Sequence, residues 1–236
     1  MDGRSLERAD EAVLRSTSSR DADWTVHSLG DVSPAQNVGW TGDVHSWADC
    51  PPPATPAAIV TGSRRATGYA MSLAEQSGAA IAEAGRTLVT TASLGCSLAA
   101  ARAALAAGGD VVVVTAASVE AEPWPAEAAD VWSAARGLIS VSDNAHVHRG
   151  DFLRRDRFLN DLALPLVICE CKFPSGVSAL ADNHRGAVFA YPHPIDSPGA
   201  PTNALIKAGR ATMLCGIDDL TRELDLDPWM RHRERE

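Results

Sequence analysis

Lysine is almost missing from this chain: it stands only at Lys172 and Lys207, while nineteen positions are arginine. Aromatic residues are sparse as well, at 5%. Long apolar runs are absent. The longest, such as "DVVVVTAA", fall far short of the ~20 residues that a membrane-spanning helix requires, so none is expected. The opening stretch "MDGRSLERADEAVLRSTSSRDAD" is charged throughout and lacks the apolar centre of a secretory signal, which leads to the expectation of a cytoplasmic protein. Cysteine is scarce and scattered, at Cys50, Cys96, Cys169, Cys171 and Cys215. An odd, dispersed set without an export signal argues against a disulfide framework. Cys169 and Cys171 sit two apart in the strand-like run "LPLVICECKF", which would point both to one face as small buried apolar residues. Net charge is −9, which argues against wholesale polyanion binding and leaves room only for a local cationic patch.

What is present divides the chain into three stretches. Residues 1–56 read as an irregular arm with scattered tryptophans, Trp24, Trp40 and Trp47, and a proline-rich linker, "CPPPATP". Those tryptophans are expected to pack on the main body. Residues 57–225 alternate strand and helix signals, and residues 226–236 form a charged tail. In the middle stretch "AAIVTG" leads into the helical "ATGYAMSLAEQSGAAIAEAG", then "TLVTTAS", the alanine-rich helix "SLAAARAALAAGG" and the strand "DVVVVTA". Later come "PLVICEC", a short helix, "AVFAYP", the helix "PTNALIKAG", "ATMLC" and a final "GIDDLTREL". Near-continuous apolar strands separated by helices predict an α/β fold, an extended Rossmann-like parallel sheet covered by helices on both faces.

In such sheets ligands bind outside the carboxyl ends of the strands. The segments after the strands are rich in glycine and serine. Gly62, Ser63, Arg64 and Arg65 offer a close turn, a hydroxyl and guanidinium forks for an anion, or else form an ordinary strand-to-helix turn with surface arginines. Ser93 and Gly95, and Ser175 and Gly176, each precede a helix and supply either N–H donors to the same cavity or caps.

Between the sheet segments lies "HRGDFLRRDRFLN", residues 148–160. Arg154, Arg155 and Arg157 fall within one helical turn, beside Phe152 and Phe158. The arginines suit phosphates or a solvated helix face; both rings are expected to anchor the helix in the core. His146 and His148, near Asp143, lack further ligands at recognisable spacing, so no metal site is expected. No catalytic triad and no G-x-G-x-x-G dinucleotide fingerprint can be read, and neither catalytic residues nor a cofactor is expected.

Five blocks in order resemble the DprA/Smf family of DNA-processing proteins: "IVTGSRRATGYA", "TTASLGCSLAAARAAL", "FLRRDRFLN", "ECKFPSGVSA" and "VFAYPHPIDSPGAPTNALIKAGRATML". They span about Ala57 to Leu220. The resemblance implies an extended Rossmann fold, single-stranded DNA as ligand, a homodimer and a RecA-type recombinase as partner. It implies that Ser63 and Arg64 hold a DNA phosphate, that Arg154, Arg155 and Arg157 line the same pocket, and that Gly176 and Asn203 shape it. This chain departs from the family pattern in having Ser97 and Ala101 where an aspartate and a histidine stand, and Asp156 where an asparagine stands. The segment Pro174–Asp182 also resembles, with substitutions, the motif of the LOG-type nucleotide phosphoribohydrolases. That resemblance implies the alternative of a nucleotide-binding sensor or a degenerate hydrolase, with Asp182 as the carboxylate.

Overall fold

A computed structural model describes residues 56–119, 121, 125–142 and 144–225, together with the backbone of two strands at 25–28 and 43–47. The elements in chain order are β1 (Thr25–Ser28), β2 (Asp43–Trp47), β3 (Ala57–Thr61), α1 (Gly68–Glu83), β4 (Thr87–Thr90), α2 (Cys96–Ala106), β5 (Val111–Thr115), a 3₁₀ turn (Ala126–Ala128), α3 (Ala129–Ala134) and β6 (Gly137–Ser140). They continue with α4 (Arg149–Asp161), β7 (Leu166–Ile168), α5 (Gly176–Asn183), β8 (Val188–Ala190), α6 (Thr202–Lys207), β9 (Thr212–Met213) and α7 (Ile217–Asp225). The strands form one sheet in the order β1-β2-β6-β5-β4-β3-β7-β8-β9. Those from β3 onward are all parallel.

β3, the first parallel strand in the chain, sits in the middle of the sheet. It pairs with β4 on one side and with β7 on the other, Ile59 standing opposite Leu166. The strand order reverses there, and a crevice opens at the carboxyl ends of the two diverging halves.

Alternation along the strands builds two apolar layers. Ala58 and Val60 of β3, Val111 and Val113 of β5 and Val167 of β7 face one side, where Ala74 and Ile81 of α1, Ala100 of α2, Trp132 of α3 and Leu220 of α7 cover them. Ala57 and Ile59, Val112 and Val114, and Leu166 and Ile168 face the other, under Phe158 and Leu159 of α4, Leu180 of α5 and Leu205 of α6. Strands buried on both faces need no polar residue in the alternation, which is why they read as unbroken apolar runs. α1 and α2 approach until backbone meets side chain: a Cβ on Gly78 would overlap the Ala100 carbonyl oxygen and lie 2.9 Å from Ala100 Cα. Alanine and glycine on both helices permit that distance.

Several expectations are corrected. The supposedly irregular arm supplies β1 and β2, an antiparallel pair joined to the sheet through β2 and β6, with Ser46 opposite Ile139. "TVHS" and "DVHSW" carry no apolar run to announce strands. β6 and α3 were also unread, being short. Cys169 and Cys171 do not share a face: β7 ends at Ile168, and the chain then leaves strand geometry, placing Cys169 in the first layer and Cys171 in the second. Trp24, Trp40, Cys50, Asp143 and the tail 226–236 lie outside the described residues, as does the side chain of Trp47. No described helix is long and apolar enough to cross a membrane.

Candidate functional site

The crevice at the switch point holds a cleft of about 780 Å³, within the range of ligand sites. Three segments wall it. Thr61 ends β3 and Gly62, Ser63, Arg64 and Arg65 follow it; after β4 come Thr91, Ser93, Leu94 and Ser97; Lys172 and Ser175–Val177 follow β7. α4, which leads into β7, adds Phe152, Arg155 and Asp156. Among apolar side chains such as Leu94 and Val177, the lining carries hydroxyls at its base and cations at its rim. Thr61 Oγ1 and Ser97 Oγ lie 3.4 Å apart at the bottom, and Thr91 donates to Ser93 at 2.9 Å. Arg64, Arg65 and Lys172 are exposed, and among the described residues none of them pairs with a carboxylate.

Close packing fixes the two glycine turns against one another. A Cβ on Gly62 would lie 2.6 Å from Cys96 Sγ, so glycine is required for the turn to pass under the start of α2. Gly95 has φ +81°, and a Cβ there would overlap the Ser63 carbonyl oxygen and lie 2.8 Å from that of Arg64. Cys96 N donates to the Ser63 carbonyl at 3.3 Å, closing the contact. Gly95 is therefore a spacer behind the cleft, not part of its lining.

Glu170, which sequence reasoning missed, lies beneath this turn and is fully buried. Its Oε2 accepts from Thr67 N at 3.1 Å and from Thr67 Oγ1 at 2.7 Å. Thr67 in turn caps α1, accepting from Ala70 N at 3.2 Å. Burial works to raise the Glu170 pKa. The Thr67 bonds, the Ser63 hydroxyl and the nearby His193 outweigh it and hold the carboxyl below its ordinary range. The only advance signal was a lone glutamate inside an apolar run.

α4 is anchored at both ends. Asp151 at its first turn accepts from Ser142 Oγ and Asn144 Nδ2, each at 2.9 Å, and from His148 N at 2.9 Å. Burial raises the Asp151 pKa, but these bonds prevail and hold it low. Phe158 is fully buried in the core, as expected, whereas Phe152 instead lines the cleft with the Arg155 guanidinium 5.3 Å from its ring centre.

The helix separates the three predicted arginines. Arg155 lines the cleft. Arg154 is exposed outside it, and Arg157 turns to solvent 3.9 Å from Asp161, because successive positions diverge by ~100° around the axis. Asn203 is also outside. Its amide bonds His193 in both directions, Oδ1 accepting from His193 N and Nδ2 donating to His193 O, each at 2.8 Å, so it fixes the loop after β8. Asp182 pairs with Arg210 beyond the cleft, and a hydrolase reading that needs this carboxylate at the site has no support. His146 and His148 are exposed, and no cluster among the described residues could hold a metal ion.

The fold and cleft together define a doubly wound α/β protein with an open, cation-rimmed cleft at its strand ends. The sequence profile of the DNA recombination-mediator protein A family matches residues 49–225. The chain belongs to that family. The single-stranded-DNA-binding DNA processing protein A of Helicobacter pylori is similar in structure, with a TM-score of 0.76 at 19% identity over 86% of this chain and 96% of that one. DNA processing protein A of Streptococcus pneumoniae superposes with a TM-score of 0.75 at 19% identity, over 92% and 80% of the two chains. No curated protein matches the sequence.

Proposed function

We propose that this protein binds single-stranded DNA and acts in DNA recombination or transformation-type DNA processing, holding the phosphodiester backbone in the cleft at the switch point. It acts by binding and not by chemistry. The observation that carries this reading is the convergence of Ser63, Arg64 and Arg65 with Ser93, Lys172 and Ser175, from three separate strand ends, on one open cleft. Hydroxyls and guanidinium forks recognise phosphate without reading base sequence. Family membership and the ligand of the Helicobacter pylori relative support the same ligand here. A homodimer and a RecA-type recombinase partner, in the cytoplasm, complete the proposal.

Fluorescence anisotropy of a labelled single-stranded oligonucleotide tests it. Arg64→Ala is expected to weaken binding about tenfold and to reduce the slope of log affinity against log salt by ~0.7, the contribution of one neutralised phosphate on a single strand. Binding that ignores salt, or that survives Arg64→Ala unchanged, would remove the DNA reading. Displacement of the oligonucleotide by micromolar mononucleotide would replace it with a small-nucleotide site.

A further inference from the structure

One side chain in the cleft has the wrong sign for its neighbours. Asp156 Oδ1 accepts from Arg155 Nη2 at 2.8 Å and from Arg155 Nε at 3.1 Å, a two-pronged pairing. The pair is shielded, with side-chain exposures of 11% for Arg155 and 22% for Asp156. The other oxygen, Oδ2, faces the start of α5: a Cβ on Gly176 would lie 3.8 Å from it. One carboxylate thus stands between a guanidinium fork and the first residue of a helix that opens onto the cleft, the two features that would otherwise receive a phosphate. Arg155 is also fixed over the Phe152 ring, so it is not free to swing outward while the pair holds.

We propose that Asp156 is a resident competitor for nucleic-acid phosphate. It occupies the anion position between Arg155 and the N-terminus of α5, so that the strand is held through Arg64, Arg65 and Lys172 while Arg155 is withheld. This rests on the DNA-binding reading and adds a limit to it: the cleft takes the backbone with one phosphate contact fewer than its cations would allow. A shielded pair of this geometry is displaced only by a ligand that replaces both of its bonds, and a single phosphate arriving beside the carboxylate meets its charge at close range.

The test uses the full chain as wild type, Asp156→Asn, Arg155→Ala, the double variant and Arg64→Ala, each checked for an unchanged melting profile. Titrations of labelled oligothymidylate are run at several salt concentrations. Asp156→Asn is expected to bind about tenfold more tightly and to steepen the salt slope by ~0.7, as one more phosphate is engaged. Arg155→Ala alone is expected to weaken binding, because it leaves the Asp156 carboxylate unneutralised beside the incoming phosphate. In the double variant the gain from Asp156→Asn is expected to vanish. Where DNA binds, the competitor idea falls if Asp156→Asn binds no more tightly than wild type, or if the double variant binds as tightly as Asp156→Asn. A second probe separates this failure from failure of the DNA reading. If no protein of the series binds DNA, yet inorganic pyrophosphate raises the melting temperature of Asp156→Asn more than that of wild type, Asp156 remains the competitor and single-stranded DNA is discarded as ligand. No gain with either probe overturns the proposal.

Discussion

Gly95→Ala is expected to lower the melting temperature by roughly 6–12 °C and to weaken oligonucleotide binding in the same protein. Gly95 has φ +81°, where an alanine costs about 1 kcal/mol in backbone strain. The larger part comes from crowding, since the added methyl would overlap the carbonyl oxygen of Ser63, and overpacking of this kind costs typically 1–3 kcal/mol. A total near 3 kcal/mol corresponds to the stated shift for a domain of this size. Gly85→Ala separates the two contributions. Gly85 has φ +68°, and nothing lies within 4 Å of a Cβ built there, so that variant bears the backbone cost alone, about 1 kcal/mol. Thermal melting of both proteins decides the matter. Equal shifts for the two glycines would mean that the turns after β3 and β4 do not interlock, and the weakened binding expected for Gly95→Ala would then have no cause.

Glu170→Ala is expected to cost about 2–4 kcal/mol. It removes a fully buried carboxylate and leaves the N–H and hydroxyl of Thr67 without their acceptor under the Ser63 turn. Glu170→Gln keeps the shape and can still accept at one atom, so it should cost less, and it supplies the pH test. The folded carboxyl titrates below the ordinary glutamate value of 4.5. A group depressed in this way contributes stability that is fully present above its unfolded pKa and is lost as pH falls through the folded one. Denaturant melts should therefore show the gap between wild type and Glu170→Gln at neutral pH narrowing below about pH 4.5. A gap that stays constant down to pH 3 would show that the charge of Glu170 contributes nothing to folding.

The sequence made the central strands legible for a plain physical reason. β3, β5 and β7 are covered on both faces, so their runs are apolar throughout, and the turns after β3, β4 and β7 carry glycine and serine. β6 has only "GLIS", and β1 and β2 have the sequences "TVHS" and "DVHSW", too short and mixed to announce strands. The site was legible as a set of separate turns but not in its internal order. Arg154, Arg155 and Arg157 form one cluster in sequence; which of them reaches the cleft depends on the rotation of α4, and that is set by Phe158 and Leu159 packing under the sheet. Asn203 is placed in the pocket only by the family resemblance. Its two bonds are instead spent on the backbone of His193, a partner that only the folded loop brings within reach. Gly95 matters through what it lets approach, and a sequence does not display an approach.

The pairing of β3 with both β4 and β7 makes the cleft a product of the whole sheet. Its first two walls come from positions 61–65 and 91–97, and its third arrives only with residues 152–180, after β5 and β6 have been laid down on the far side. Closure of the β3–β7 ladder joins residues more than a hundred positions apart, Ile59 to Leu166, the kind of non-local contact that slows folding. A ligand filling the cleft would meet walls from both sides of that ladder. Its binding free energy is added to the stability of the entire sheet, so occupancy would raise one cooperative melting transition and not loosen or tighten a single lobe.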